Sequence, residues 1–141
     1  MNNSVVVGII QDSPVYLDLG KSMEKAEALV KGAASNGAEL IVFGETWLSG
    51  YPAWLDTCDE VNYWDHEPVK ELFALTYRNS VEVPGKETDL LCKLAKELNL
   101  TIIIGVNEKI TTEKEKLPTT TGNWCQPIPR KWYGHQETDM G

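Results

Sequence analysis

Gly37-Ala38-Glu39-Leu40-Ile41-Val42-Phe43-Gly44-Glu45-Thr46-Trp47-Leu48-Ser49-Gly50-Tyr51-Pro52 is the stretch on which the fold turns. Leu40 to Phe43 is a short apolar run held between two glycines, and it reads as a buried strand. Glu45 stands two residues beyond it. In open α/β sheets ligands bind outside the carboxyl ends of the strands, so Glu45 is the first candidate for chemistry. Crowding by Trp47 and Tyr51 would desolvate its carboxylate, raise its pKa and suit it to act as a base near neutral pH. The plain alternative is a surface glutamate in a loop.

Upstream, Asn36-Gly37 closes a helix, because both residue types tolerate the left-handed stop. Asp18 caps that helix at its start. Leu19, Met23, Ala26, Val30 and Ala33 repeat at helical spacing, with Lys21, Glu24, Lys25, Glu27 and Lys31 on the wet side. Before it, Val5 to Ile10 is a second apolar run rich in β-branched residues, read as another buried strand. Strand, helix and strand over residues 5–43 make a βαβ unit, which predicts parallel pairing.

Downstream, Glu45 to about His66 is a connection carrying Trp47, Tyr51, Trp54, Tyr63 and Trp64. A connection of this length inside a compact domain is usually functional or poorly ordered, and the tryptophans favour the functional reading. Tyr51 and Trp54 are the candidates to line a substrate pocket, although packing onto the sheet explains them nearly as well. Pro68 opens a helix running to about Tyr77. Pro84-Gly85 breaks the chain, and a third helix follows with Leu91, Leu94, Ala95 and Leu98 on one face. Leu100 to Val106 is the third strand, with Glu108 beyond it at a possible site edge. From Thr111 to Gly141 no apolar run exceeds two residues and no period is visible, so this segment reads as an irregular or disordered tail. The expected organisation is an α/β domain over 1–110 followed by the tail over 111–141.

The 141 residues suffice for one domain, and a hydrophobic fraction of 42% is ordinary for a globular protein. A net charge of −8 without any basic run argues against nucleic acid or an anionic membrane as partner. No apolar stretch approaches the roughly 20 residues of a membrane span. Val5 to Ile10 lacks the preceding positive charge of a signal peptide. Cys58, Cys92 and Cys125 are odd in number and widely spaced, which suits neither a disulfide framework nor a zinc site. A cytoplasmic location, no metal and no cofactor are the expectations. Gly20-Lys21-Ser22 is helix surface, since Val15 occupies the place where a phosphate loop needs glycine. His66 and His135 are isolated.

The stretch quoted above resembles the first signature of the nitrilase family, with Gly37, Phe43, Glu45, Leu48, Gly50, Tyr51 and Pro52 at the demanding positions. The Gly-Tyr-Pro ending is similar to the nitrile-hydrolysing branch of the wider carbon–nitrogen hydrolase superfamily. The resemblance runs from about Val5 to Glu108. It implies the N-terminal part of an α-β-β-α sandwich, here about three strands and three helices. It also implies conversion of a small nitrile to a carboxylic acid and ammonia. In that chemistry a cysteine thiolate attacks the nitrile carbon, a lysine stabilises the developing charge, and the glutamate matched by Glu45 is the base. The family's lysine lies in a His-Arg-Lys-Leu stretch and its cysteine in a Cys-Trp-Glu stretch. Neither occurs here.

The resemblance therefore implies a truncated chain, inactive alone, whose uncovered sheet invites homo-oligomerisation or aggregation. A non-catalytic binding module that keeps the Glu45 loop as a ligand or partner site is the reading from another class. The abrupt loss of pattern at Thr111 also raises a shifted reading frame over 111–141, which the coding DNA would reveal.

Overall fold

The computed structural model of the chain describes residues 4–54 and 67–109, together with the backbone of 118–125. In chain order the elements are β1 (Val7–Ile9), α1 (Leu19–Ser35), β2 (Leu40–Val42), α2 (Glu67–Arg78), α3 (Lys86–Leu98), β3 (Thr101–Lys109) and β4 (Pro118–Cys125). They form one four-stranded sheet in the order β1-β2-β3-β4. The first three strands are parallel, with Gly8, Ile41 and Ile102 side by side in register. This is the mixed α/β architecture that the βαβ reading expected.

The boundaries of α1 follow from its ends. The Asp18 carboxylate accepts the Lys21 backbone N–H at 3.0 Å, occupying one of the donors that a helix N-terminus leaves unpaired. Asn36 caps the other end, and Gly37 carries the chain onward at φ +86°. Between them Ser22, Ala26 and Val30 are buried, while Met23 and Ala33 pack at the edge of the core. α3 ends in the same way at Asn99, φ +51°. Its Leu91, Leu94 and Ala95 face the sheet, as their spacing predicts. Leu98, expected on that face, is instead 36% exposed in the last turn.

The core is one-sided. Ile41, Ile102 and Ile104 meet Ala26, Val30, Leu91, Leu94 and Ala95 on the helical face of the sheet. α1 presses so closely on β1 that a β-carbon at Gly8 would sit 3.3 Å from those of Ala33 and Ala38. Because side chains alternate along a strand, Val7 and Ile9 point the other way. They are 47% and 71% exposed. The expectation of a buried first strand is therefore corrected. β1 is a short edge strand whose outer-face side chains meet no layer among the described residues, and an apolar run by itself does not say whether both faces will be covered.

A second correction concerns the tail. Residues 118–125, read from sequence as loop, form β4 and pair antiparallel with β3 from Ile102↔Cys125 to Lys109↔Pro118. Thr119-Thr120-Thr121 supplies β-branched residues that fit a pleated backbone. What holds the strand, however, is the free edge of β3, a partner that no local pattern announces. Residues 110–117 and 126–141, and with them the remainder of the proposed tail, lie outside the described residues. No helix among the described residues is long and apolar enough to cross a membrane.

Candidate active site

β3 outruns β2. Val42, the last residue of β2, pairs with Ile103, and β3 continues to Lys109. The chain leaving β2 therefore turns across the exposed flank of β3, and Glu45 lies in that turn. Phe43 N–H donates to the Ile103 carbonyl at 2.9 Å and Trp47 N–H to the Gly105 carbonyl at 2.8 Å. The crossing is close. A β-carbon at Gly105 would lie 2.7 Å from Thr46 N, 2.8 Å from Glu45 Cα and 2.9 Å from Gly44 O. Only glycine leaves room for the Glu45 turn at this position.

The rest of the loop is tied down on two sides. Asn107 Nδ2 donates to Ser49 Oγ at 2.7 Å, a buried polar pair joining the loop to β3. Leaving either partner unpaired there would carry the full desolvation cost of a buried polar group. On the other side the loop meets the segment after β1. Trp47 Nε1 donates to the Asp12 carbonyl at 2.7 Å, and the Tyr16 hydroxyl donates to the Tyr51 carbonyl at 2.6 Å. Trp47 is buried with its ring edge-on to Phe43, centroids 4.8 Å apart.

Glu45 itself is exposed. The crowding expected from its neighbours is not what the structure has, because Trp47 turns into the core and Tyr51 is 46% exposed. Consecutive residues on a tight turn point in different directions, so nearness in sequence did not become contact. Trp54 packs edge-on against Phe73 of α2, ring centroids 5.7 Å apart. Glu108 is half-buried on β3, beside the bridge that Val81 makes to that strand. Cys92 sits half-buried on α3 against the core. Cys58, His66 and His135 fall outside the described residues, and only the backbone of Cys125 is described.

Asp12, Gly105 and Asn107 are the supporting residues that sequence reading missed. A lone glycine inside an apolar strand signals close backbone approach, so Gly105 had a usable mark. The Asp12–Trp47 contact spans 35 residues and had none.

Asp12 is in turn held by α1. Lys25 Nζ donates to its carboxylate at 2.9 Å and to the Ser13 carbonyl at 2.6 Å. The hydrogen bond from Lys25, with the Ser13 N–H and the lysine charge, keeps the Asp12 carboxyl below its ordinary range against an opposing desolvation. A depressed folded-state pKa contributes stability that is present above the unfolded value of about 3.9 and lost as pH falls through the folded one. Asp12→Asn is therefore expected to melt below the parent at about pH 7. The gap should narrow as the pH falls and the parent's carboxyl is protonated too. Thermal melts across that range check this, and a gap that persists in acid would remove the ion pair as its cause.

A family model described as carbon-nitrogen hydrolase matches residues 6–126, well past Glu108. "Nitrilase 2" from an unknown prokaryotic organism is 43% identical over 104 residues, covering 74% of this chain and 31% of that protein. An arylacetonitrilase of Aspergillus oryzae is 36% identical over 108 residues, covering 77% of this chain and 30% of its own length. The chain thus spans under a third of the curated relatives it matches. Among solved structures, a carbon-nitrogen hydrolase from Helicobacter pylori G27 superposes with a TM-score of 0.56 at 14% identity, over 97% of this chain and 41% of that one. An amidase from Nesterenkonia sp. gives 0.51 at 14% identity, over 90% and 40%. At such identities these two speak for the fold, and the sequence relatives carry the family. The chain belongs to the carbon–nitrogen hydrolase family, whose members are hydrolases acting on carbon–nitrogen bonds.

Proposed function

We infer that this chain carries the glutamate part of a nitrilase active site, with Glu45 as its general base. The observation that supports the reading is the mounting of Glu45. It stands exposed at the carboxyl end of β2, on a turn that Gly105, Asn107, Asp12 and Tyr16 hold from both sides. A general base has to be held within hydrogen-bond reach of the proton it takes, and a rigid turn opening outward does that. In the proposed reaction Glu45 takes the proton of a cysteine thiol and the thiolate adds to the nitrile carbon. A C–S bond forms, one C–N π bond breaks, and the nitrogen gains a proton to give a thioimidate. Two waters then complete hydrolysis to the carboxylic acid and ammonia, freeing the thiol.

The Cys-Trp-Glu and His-Arg-Lys-Leu stretches that carry the nucleophile and the lysine in the resembled chemistry do not occur in these 141 residues. Tyr51, exposed on the same loop, and Trp54, which packs against Phe73 of α2, are the side chains we assign to the substrate's approach. We also assign the outer sheet face at Val7 and Ile9 to contact with another protein layer, because exposed apolar side chains on an edge strand are otherwise an aggregation surface.

Two preparations test the proposal. The 141-residue chain alone is expected to release no ammonia from simple nitriles above a Glu45→Gln control. A fusion of its residues 1–109 to the corresponding remainder of the 43%-identical nitrilase is expected to release it. A soluble, monomeric fusion with no activity would favour the binding-module reading instead.

A further inference from the structure

Left-handed backbone is spread over the described residues at five positions, and the residue types divide them. Gly37, Gly50 and Asn99 adopt it at φ +86°, +92° and +51°, and these types tolerate it. Leu17 and Thr46 adopt it at +53° and +47°, and these do not. Both unfavourable positions belong to one place. Thr46 follows Glu45 directly, and Leu17 N–H donates to the Ser49 carbonyl of the same loop. Strain that survives in a folded protein is held by its surroundings, and it gathers where a geometry is needed for something other than stability.

A second observation falls on the same residue. Thr46 is 2% exposed, and its Oγ1 is fully buried with no hydrogen-bond partner among the described residues. Buried polar atoms are nearly always paired, so an orphaned hydroxyl is a further cost at this position. Glycine would adopt the same backbone without strain. Valine would fill the same space without the orphan.

We propose that Thr46 is the positioning residue of Glu45, and that its enclosed side chain anchors the turn that aims the glutamate outward. The proposal rests on the reading of Glu45 as the base, though its test does not. The left-handed φ at Thr46 puts an exposed Glu45 and a buried Trp47 on either side of one residue. The Trp47 N–H bond to Gly105 and the Gly50 N–H bond to the Thr46 carbonyl at 2.9 Å close the turn around it. The branched side chain disfavours this φ by itself, so it is the enclosure around Thr46 that holds the residue and, through the shared peptide, Glu45. Glycine fills none of that enclosure and samples more of the map, and the turn would breathe.

The experiment uses the 141-residue chain and reads two quantities. Thermal melting reports strain. Backbone ¹⁵N order parameters at residues 45 and 46, with the χ1 couplings of Glu45, report its aim. Thr46→Gly is expected to lower the order at Glu45 while leaving Glu39 and Glu108 unchanged. Thr46→Val is expected to melt no lower than the parent and to keep Glu45 ordered. A Thr46→Gly protein that leaves Glu45 as ordered as before overturns the proposal. A Thr46→Val protein that melts several degrees lower overturns it too, since the hydroxyl would then have a partner. None of these outcomes touches the role of Glu45, which is read separately from turnover in the fusion.

Discussion

Replacing Glu45 by glutamine in the fusion described above is expected to lower kcat by roughly 10²–10⁴-fold, the usual contribution of a general base. Glutamine has nearly the shape of glutamate and the same length. It cannot accept a proton from a thiol or a water, so the loss falls on chemistry and leaves geometry alone. The anchors of the loop are the backbone of residues 43–51, Trp47, Ser49 and Asn107, none of which involves the Glu45 side chain. Glu45 is exposed, and the substitution should leave stability within about 0.5 kcal/mol, as surface changes do. Two measurements therefore separate cleanly: steady-state ammonia release falls, and the melting curve stays. Turnover within a few-fold of the parent would remove Glu45 from the mechanism and leave it a loop carboxylate.

Gly105→Ala is expected to damage the fold and the site together. The new methyl would stand under 3 Å from Thr46 N, Glu45 Cα and Gly44 O. These are backbone atoms, so no side chain can swing away to make room. Either β3 or the Glu45 turn has to move, and the turn is the element held by fewer strand hydrogen bonds. Overpacking a close contact costs about 1–3 kcal/mol, and weakening the Trp47 N–H bond to Gly105 adds about 1 more. For a domain of this size that is a fall of roughly 7–14 °C in melting temperature. In the fusion, a displacement of about 1 Å at Glu45 should also cost on the order of 10²-fold in kcat. Gly32→Ala is the control. Gly32 lies on α1 with nothing within 4 Å of a new methyl, and alanine there should stabilise the helix by about 0.5–1 kcal/mol. A Gly105→Ala protein as stable as the parent would mean that the turn does not ride on β3 as described.

Much of the layout was legible in the residues themselves. The helices were marked at their ends, by Asp18 and Asn36-Gly37 for α1 and by Pro84-Gly85 ahead of α3, because capping and stopping are local interactions between near neighbours. Their inner faces were marked by spacing, since a helix repeats its directions every 3.6 residues. The three parallel strands could be read from short apolar runs separated by a helix, because a parallel crossover needs that length of chain. The place of Glu45 followed from the same logic, as the end of a parallel strand is a matter of counting.

What escaped the sequence were facts about surroundings. Val7 and Ile9 read as core, yet they are exposed, because burial depends on whether a second layer arrives and not on the strand's own composition. Residues 118–125 read as loop, yet they form a strand, because the unpaired edge of β3 supplied the hydrogen bonds. Glu45 read as crowded, yet Trp47 found its partners in Phe43 and in Asp12 and turned away. Local pattern determined which elements form and in what order, since those depend on residues a few positions apart. The tertiary structure alone decided which faces are wet, how β3 carries the Glu45 turn at Gly105, and that Thr46 is strained there, because each depends on backbone brought together from distant parts of the chain.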